Sequence, residues 1–130
     1  MACLETTFLI DVLRGKKEVT NLMSDLDTSE DFLAVASPTI MELWAGACTA
    51  KASQAEKEKI NNLLASLEIL NLDEKSAKEA GEIEAELTNS GKIIETEDIM
   101  IAAIAKSNNE KIVTRDGHYA KINGLKVLKY

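Results

Sequence analysis

The sequence predicts an α/β fold, in which a central, mostly parallel sheet of about five strands is sandwiched by helices. Short apolar segments that are typical of strands alternate along the chain with longer segments of helical periodicity. One helical segment, residues 97–105, is apolar on nearly every side and therefore has to be buried. The 130 residues include one proline and six glycines, which is typical of a helix-rich globular protein. We therefore expect a single domain over residues 1–130.

The first half of the chain predicts strands alternating with amphipathic helices. Thr6 and Thr7 follow a short apolar strand and are expected to cap the first helix, which Gly15 ends. Ser37 is expected to cap the third helix, with Pro38 at its first position. The predicted elements, in chain order, are a strand at 2–4, helices at 8–14 and 16–28, a polar loop at 27–31, a strand at 32–36, and helices at 39–50 and 53–67.

The second half continues the alternation. Asp73 is expected to cap a long helix that Gly91 ends. Thr96 is expected to cap the buried helix, which places Glu97 and Asp98 in its first turn, and Asp98 shares the inward face of this helix. The predicted elements are a strand at 67–72, helices at 74–89 and 97–105, a strand at 111–114, a short helix at 117–119 and a strand at 125–128.

Composition limits the classes of function. No apolar run reaches the ~18 residues that a membrane span needs, and the N-terminus lacks the features of a signal peptide, so we expect a cytoplasmic protein. Cys3 and Cys48 lie in apolar segments and are expected to be buried free thiols. The single His118, expected on the surface, excludes a multi-histidine metal site. The net charge of −7 argues against binding nucleic acid through bulk charge, although a cation in an acidic cleft could still receive phosphate.

Four acidic residues are predicted at the carboxyl ends of the strands, where parallel sheets bind their ligands. They are Glu5 after the first strand, Glu42 in the helix after the second, Asp98 at the start of the buried helix, and Asp116 after the fourth strand. Each residue alone has an ordinary explanation. Glu5 could answer a helix dipole, Glu42 could be a solvated helix residue, Asp98 could cap a helix, and Asp116 could be a turn residue. Together they would repel one another unless a cation lay between them. Carboxylate oxygens suit Mg²⁺ or Mn²⁺, which indicates metal-assisted phosphodiester hydrolysis.

Four other polar residues are candidates for supporting such a site. Thr6 and Thr114 are placed to orient the acidic ligands, and Arg14 and Arg115 are candidates for contacting phosphate.

Four segments follow one another along the chain: residues 4–15 (LETTFLIDVLRG), 37–46 (SPTIMELWAG), 98–103 (DIMIAA) and 113–119 (VTRDGHY). In this order they resemble the PIN-domain ribonucleases, and among them the VapC-type toxins of toxin–antitoxin pairs. The resemblance implies a PIN-like parallel sheet between helices, a homodimer, dependence on Mg²⁺ or Mn²⁺, cleavage of RNA, and inhibition by a small VapB-like antitoxin.

The resemblance also extends to the site residues. Glu42, Asp98 and Asp116 match the family's metal-site acids by position, whereas the family usually has aspartate where this chain has Glu5. Mg²⁺ tolerates displaced ligands poorly, so two hypotheses follow. The preferred one is a metal-dependent endoribonuclease, and the alternative is a catalytically weakened binding module that acts through dimerisation and a partner helix. A phosphotransfer domain is disfavoured, because Glu5 is a poor position for an aspartyl-phosphate nucleophile.

Overall fold

The structure, a computed structural model, describes residues 1–30 and 32–130. The strands of this part of the chain are β1 (Ala2–Leu4), β2 (Leu33–Ala36), β3 (Glu68–Leu70), β4 (Lys111–Thr114) and β5 (Val127–Lys129). The helices are α1 (Thr6–Leu13), α2 (Lys17–Ser29), α3 (Ser37–Cys48), α4 (Ser53–Leu64), α5 (Glu74–Asn89) and α6 (Thr96–Ser107), with a 3₁₀ helix at Gly117–Lys121.

The strands form one sheet in the order β3-β2-β1-β4-β5, and every neighbouring pair is parallel. This confirms the predicted α/β class with its parallel sheet of five strands. From β1 the chain moves outward to β2 and β3 on one side, and then crosses to β4 and β5 on the other. A reversal of this kind leaves a crevice at the carboxyl ends of β1 and β4.

Apolar side chains fill both faces of the sheet, because successive strand residues point to opposite sides. Leu4 and Val113 belong to the cluster that packs against α1 to α4, whereas Cys3 and Ile112 belong to the cluster around α6. Residues 101–105 of α6 are completely buried, so the predicted burial of this helix is confirmed. Its alanines let the helix approach the sheet closely, and the first turn of α6 therefore lies beside the crevice.

Several predicted helix caps are wrong, and one is confirmed. Ser37 and Thr96 are already the first helical residues of α3 and α6, so neither has the extended backbone that an N-cap residue needs. Thr6 and Thr7 lie in the first turn of α1 and give their hydroxyls to carboxylates instead of to the helix end. Asp73 does cap α5, in a reciprocal pair of hydrogen bonds with Ser76.

Residues 27–29 of the polar run predicted as a loop at 27–31 are helical, and Glu30 follows the helix with an extended backbone. Helix α2 continues to Ser29, because Leu26 is buried and the hydroxyls of Thr28 and Ser29 donate to backbone carbonyls one turn earlier. Asp31 lies outside the described residues.

Strand bounds and one thiol also differ from expectation. Edge strand β3 is shorter than the predicted 67–72, because β2, the strand it pairs with, ends at Ala36. Strand β5 begins at Val127, which pairs with Ile112, and not at residue 125. Cys3 is a buried free thiol as expected, but Cys48 is exposed, because it lies on the outward face of α3 near its end. Among the described helices, none has both the length and the apolar character needed to cross a bilayer.

Candidate active site

The structure brings the four predicted acids together at the crevice. Glu5 directly follows β1, Asp116 follows β4, Glu42 lies in the second turn of α3, and Asp98 lies in the first turn of α6. Carboxylate oxygens of Asp98 and Asp116 lie within 4.8 Å of each other, together with a ring nitrogen of His118. The charges of Asp116, Glu5 and Glu42 all act on Asp98, so the four groups are close enough to interact.

Asp98 is partly buried and lies close to the other three acids. Burial raises its pKa to about 6, and the charges of Asp116, Glu5 and Glu42 act in the same direction. The hydroxyl of Tyr119 donates to Asp98 Oδ1 at 3.2 Å and opposes this rise. Tyr119 itself is fully buried, which raises its pKa, so it stays a neutral hydrogen-bond donor. A half-buried carboxylate with a raised pKa and a cation-poor environment is typical of a functional site.

Glu5 is only 2% exposed and is held by two threonines. Thr7 Oγ1 donates to Glu5 Oε1 at 2.6 Å, and Thr114 Oγ1 donates to the same oxygen. Among the described residues, no side chain donates to Oε2, which remains available to a ligand. The two hydroxyls therefore fix the orientation of a side chain that is one methylene longer than aspartate.

Glu42 is held in a similar way from the first turn of α1. Thr6 Oγ1 donates to Glu42 Oε1 at 2.8 Å and also contacts Thr39 Oγ1 at 3.1 Å. Burial raises the pKa of Glu42, the hydrogen bond from Thr6 lowers it, and the charges of Glu5 and Glu97 raise it further. Glu97 is thus a fifth acid near the cluster. Sequence analysis placed it only in the first turn of α6, although its position next to Asp98 was the available signal.

Asp116 begins the 3₁₀ helix and bonds to it. Its Oδ1 accepts a hydrogen bond from the backbone N–H of His118 at 2.9 Å and lies 2.9 Å from His118 Nδ1. The backbone N–H of Asp116 donates to Thr114 Oγ1 at 3.0 Å, which links this acid to the threonine that holds Glu5. His118 is 56% exposed, as expected for a surface residue, but its contact with Asp116 was not predicted.

The donor set fits a divalent cation. In the described part of the chain, no lysine or arginine forms an ion pair with Glu5, Glu42 or Asp98. Several carboxylates are therefore held together without a protein cation to offset their repulsion, and oxygen-only ligands of this kind suit hard divalent metals. The cluster could hold such an ion.

Two residues beside this cluster, Asp11 and Tyr119, were not predicted as part of the site. Asp11 of α1 is buried and bonds to Arg115 and Tyr130, and Tyr119 bonds to Asp98. The sequence gives one sign of the contacts of Asp11, which is that a charged residue lies inside the apolar run Phe8–Leu13. Arg115, a candidate for contacting phosphate, gives its Nε–H to Asp11.

A groove of about 680 Å³ adjoins the acids between α1, α3 and α4. Glu42 is one of its lining residues, so the groove reaches the edge of the acidic cluster. Other lining residues are apolar, basic and acidic, and the acidic Glu56 pairs with Lys59: Ile10, Leu13, Leu43, Ile60, Arg14, Lys51, Lys59 and Glu56.

The raised pKa of Asp98 predicts how the stability of the metal-free protein depends on pH. Between the ordinary value of 3.8 and the folded-state value of about 6, the folded chain keeps a proton that the unfolded chain has lost. Raising the pH through this window therefore lowers the free energy of unfolding. We expect the melting temperature in chelator to fall more steeply over this window for the parent than for Asp98→Asn. Parallel curves for the two proteins would contradict the assignment.

Comparison with known proteins places the chain in a family. A family model for the PIN domain matches residues 2–125. Ribonuclease VapC2 of Haemophilus influenzae is 32% identical over 113 residues, which cover 87% of this chain and 84% of the relative. The tRNA(fMet)-specific endonuclease VapC of Salmonella typhimurium is 30% identical over 125 residues, 95% of this chain and 93% of the relative. The crystal structure of DNA-bound VapBC from Salmonella typhimurium matches with a TM-score of 0.90 and 29% identity, covering 99% of this chain and 98% of that one. The chain therefore belongs to the PIN domain family, among its VapC-type members.

Proposed function

We propose that this protein is a metal-dependent endoribonuclease that hydrolyses RNA phosphodiester bonds and acts as the toxin of a toxin–antitoxin pair. The observation that carries the proposal is the set of four carboxylates at the crevice, which no lysine or arginine of the described residues neutralises. Its VapC relatives are named as ribonucleases, which supports RNA as the substrate. A cytoplasmic location, where RNA is present, is part of the same proposal.

In this proposal Glu5, Glu42, Asp98 and Asp116 hold Mg²⁺ or Mn²⁺. A bound divalent ion would supply a water of lowered pKa and would offset negative charge on the phosphate. The residues of the chain do the positioning. Thr6 holds Glu42, and Thr114 holds Glu5, so each carboxylate presents its remaining lone pairs in a fixed direction.

Tyr119 completes this positioning at Asp98. Its buried hydroxyl donates a hydrogen bond to Asp98 Oδ1, which restricts rotation of the carboxylate. The first turn of α6 adds the favourable field of the helix N-terminus, which helps Asp98 to stay charged once a cation is present.

A small VapB-like antitoxin is the proposed protein partner, and the groove beside Glu42 is its proposed binding site. The apolar lining residues, with Arg14 and Lys51 beside them, suit an amphipathic helix with an acidic edge, whereas Lys59 is already paired with Glu56. The VapBC assembly from Salmonella typhimurium supports such a partner. A homodimer, which the family resemblance implies, belongs to the same proposal.

Cleavage of RNA with and without a chelator tests this function. We expect the purified protein to cut end-labelled RNA in the presence of Mg²⁺ or Mn²⁺, to stop in excess chelator, and to resume when metal is restored. The hypothesis of a weakened binding module predicts no cleavage under any of these conditions, although the protein would still bind a partner. Cleavage that is indifferent to chelator would point to a contaminating nuclease and would count against the proposal.

A further inference from the structure

A buried ionic network lies beside the acidic cluster and is separate from it. Asp11 of α1 is only 1% exposed, although it is charged. Its Oδ2 accepts hydrogen bonds from Arg115 Nε at 2.9 Å and from the hydroxyl of Tyr130 at 2.8 Å. Its Oδ1 lies 3.1 Å from Lys16 Nζ. The network therefore ties helix α1 to the segment after β4 and to the residue after β5.

Asp11 remains ionised despite its burial. Desolvation raises the pKa of this carboxyl, but hydrogen bonds from Tyr130 and Arg115 and the ion pair with Lys16 together lower it to about 2. A buried carboxylate with this many donors holds its partners in a defined geometry, because loss of one partner leaves an uncompensated charge. The ring of Tyr130 also packs edge-on against Phe8, at a centroid distance of 5.3 Å, which fixes the position of the hydroxyl.

Arg115 connects this network to the acids. It lies between Thr114, which donates to Glu5, and Asp116. The backbone N–H of Arg115 also reaches Thr7 Oγ1 at 3.4 Å, and Thr7 donates to Glu5. The side chain of Arg115 therefore anchors the backbone of this segment to Asp11. The same segment contains Thr114, which holds Glu5, and Asp116.

We propose that Asp11 is a positioning residue, which holds the Arg115 side chain and thereby fixes the turn that carries Asp116 for metal binding. The inference rests on the proposed function insofar as it concerns the same acidic site. Asp11 touches neither the four acids nor the groove, so its effect passes through Arg115.

A different role for Arg115 makes a different prediction. Its side chain is 46% exposed, and a group that contacted RNA phosphate directly would affect substrate binding and its salt dependence. The Nε–H, however, is occupied by Asp11, which favours anchoring over substrate contact.

The test is a calorimetric Mn²⁺ titration, without RNA, of the parent, Asp11→Asn, Arg115→Gln and the double variant. We expect each single variant to bind Mn²⁺ about 10-fold more weakly, the magnitude typical of losing an outer-shell contact. We expect the double variant to be no weaker than either single one, since Asp11 acts through Arg115. Glu79→Gln is the matched control, because it removes the ion pair between Glu79 and Lys106 on α5 and α6 and should leave Mn²⁺ affinity unchanged.

Two outcomes would overturn the inference. Parent-like Mn²⁺ affinity in the folded single variants would mean that the network serves stability alone. A raised KM for RNA with unchanged Mn²⁺ affinity in Arg115→Gln would make Arg115 a substrate contact instead. If Asp11→Asn does not fold, the Mn²⁺ affinity of Arg115→Gln tests the inference, because the side chain of Arg115 is half exposed. A parent that binds Mn²⁺ but cuts no RNA would refute the proposed function and leave this inference standing.

Discussion

Asp98→Asn is expected to keep the fold and to lower the rate of RNA cleavage by more than about 100-fold, beyond the usual effect of an outer-shell change. The amide has the shape of the carboxylate, and its oxygen can still accept the hydrogen bond from Tyr119. It cannot supply the negative charge that a divalent cation needs. The variant should also be more stable than the parent in chelator, because repulsion by Asp116, Glu5 and Glu42 is relieved.

Rates of RNA cleavage at saturating Mn²⁺ check the expected loss of activity, and melting temperatures in chelator check the expected gain in stability. Glu95→Gln is the matched control, since Glu95 is an exposed acid at the same end of α6 whose side chain makes no capping hydrogen bond. It should cleave RNA like the parent. Equal cleavage by Asp98→Asn and the parent would exclude Asp98 from the site.

Glu5→Gln is expected to weaken Mn²⁺ binding by about 10-fold or more, whereas Glu5→Asp should change it less. Thr7 and Thr114 both donate to Glu5 Oε1, so the length of the glutamate side chain matches the positions of these hydroxyls. An aspartate would be shorter by one carbon–carbon bond and would lose alignment with those hydroxyls, but it would keep the charge. The glutamine keeps the length and loses the charge.

Calorimetric Mn²⁺ titration of the three proteins, with cleavage rates alongside, separates the possibilities. If Glu5→Asp bound metal more tightly and cut RNA faster than the parent, the longer side chain would be a defect of this site. Identical affinities in all three would mean that Glu5 is not a ligand, and the site would then consist of Glu42, Asp98 and Asp116.

The fold class and the meeting of the four acids follow from rules that act along the chain. Alternating strands and helices favour a parallel sheet, and the carboxyl ends of parallel strands lie at one edge. Glu5, which directly follows β1, and Asp116, two residues after β4, therefore lie at the same edge although 111 positions separate them, as their numbers show. The apolar run of α6 indicated its burial, which in turn brought Asp98 to the crevice.

Thr6 and Thr114 were named as residues that orient the acids, but which acid each of them holds could not be predicted in the same way. A threonine near a helix start can either cap the helix or bond to a distant group, and only tertiary packing decides between them. Thr6 was predicted both to cap α1 and to orient an acid, and it donates to Glu42, whereas Thr7 was predicted only as a cap and donates to Glu5. Asp11 stood out as a charge in an apolar helix, yet its partner Arg115 is 104 residues away and carries no sequence signal of the pairing.

The central claim is that the four carboxylates form one divalent-cation site, and the most direct test is the melting temperature of the parent in Mn²⁺. A ligand at about 100 times its Kd adds about 2.7 kcal/mol to the free energy of unfolding. For a chain of this size we therefore expect a rise of several degrees in millimolar Mn²⁺, relative to potassium at equal ionic strength. The rise should be strongly reduced in Asp98→Asn. No difference between manganese and potassium in the parent would contradict the metal site.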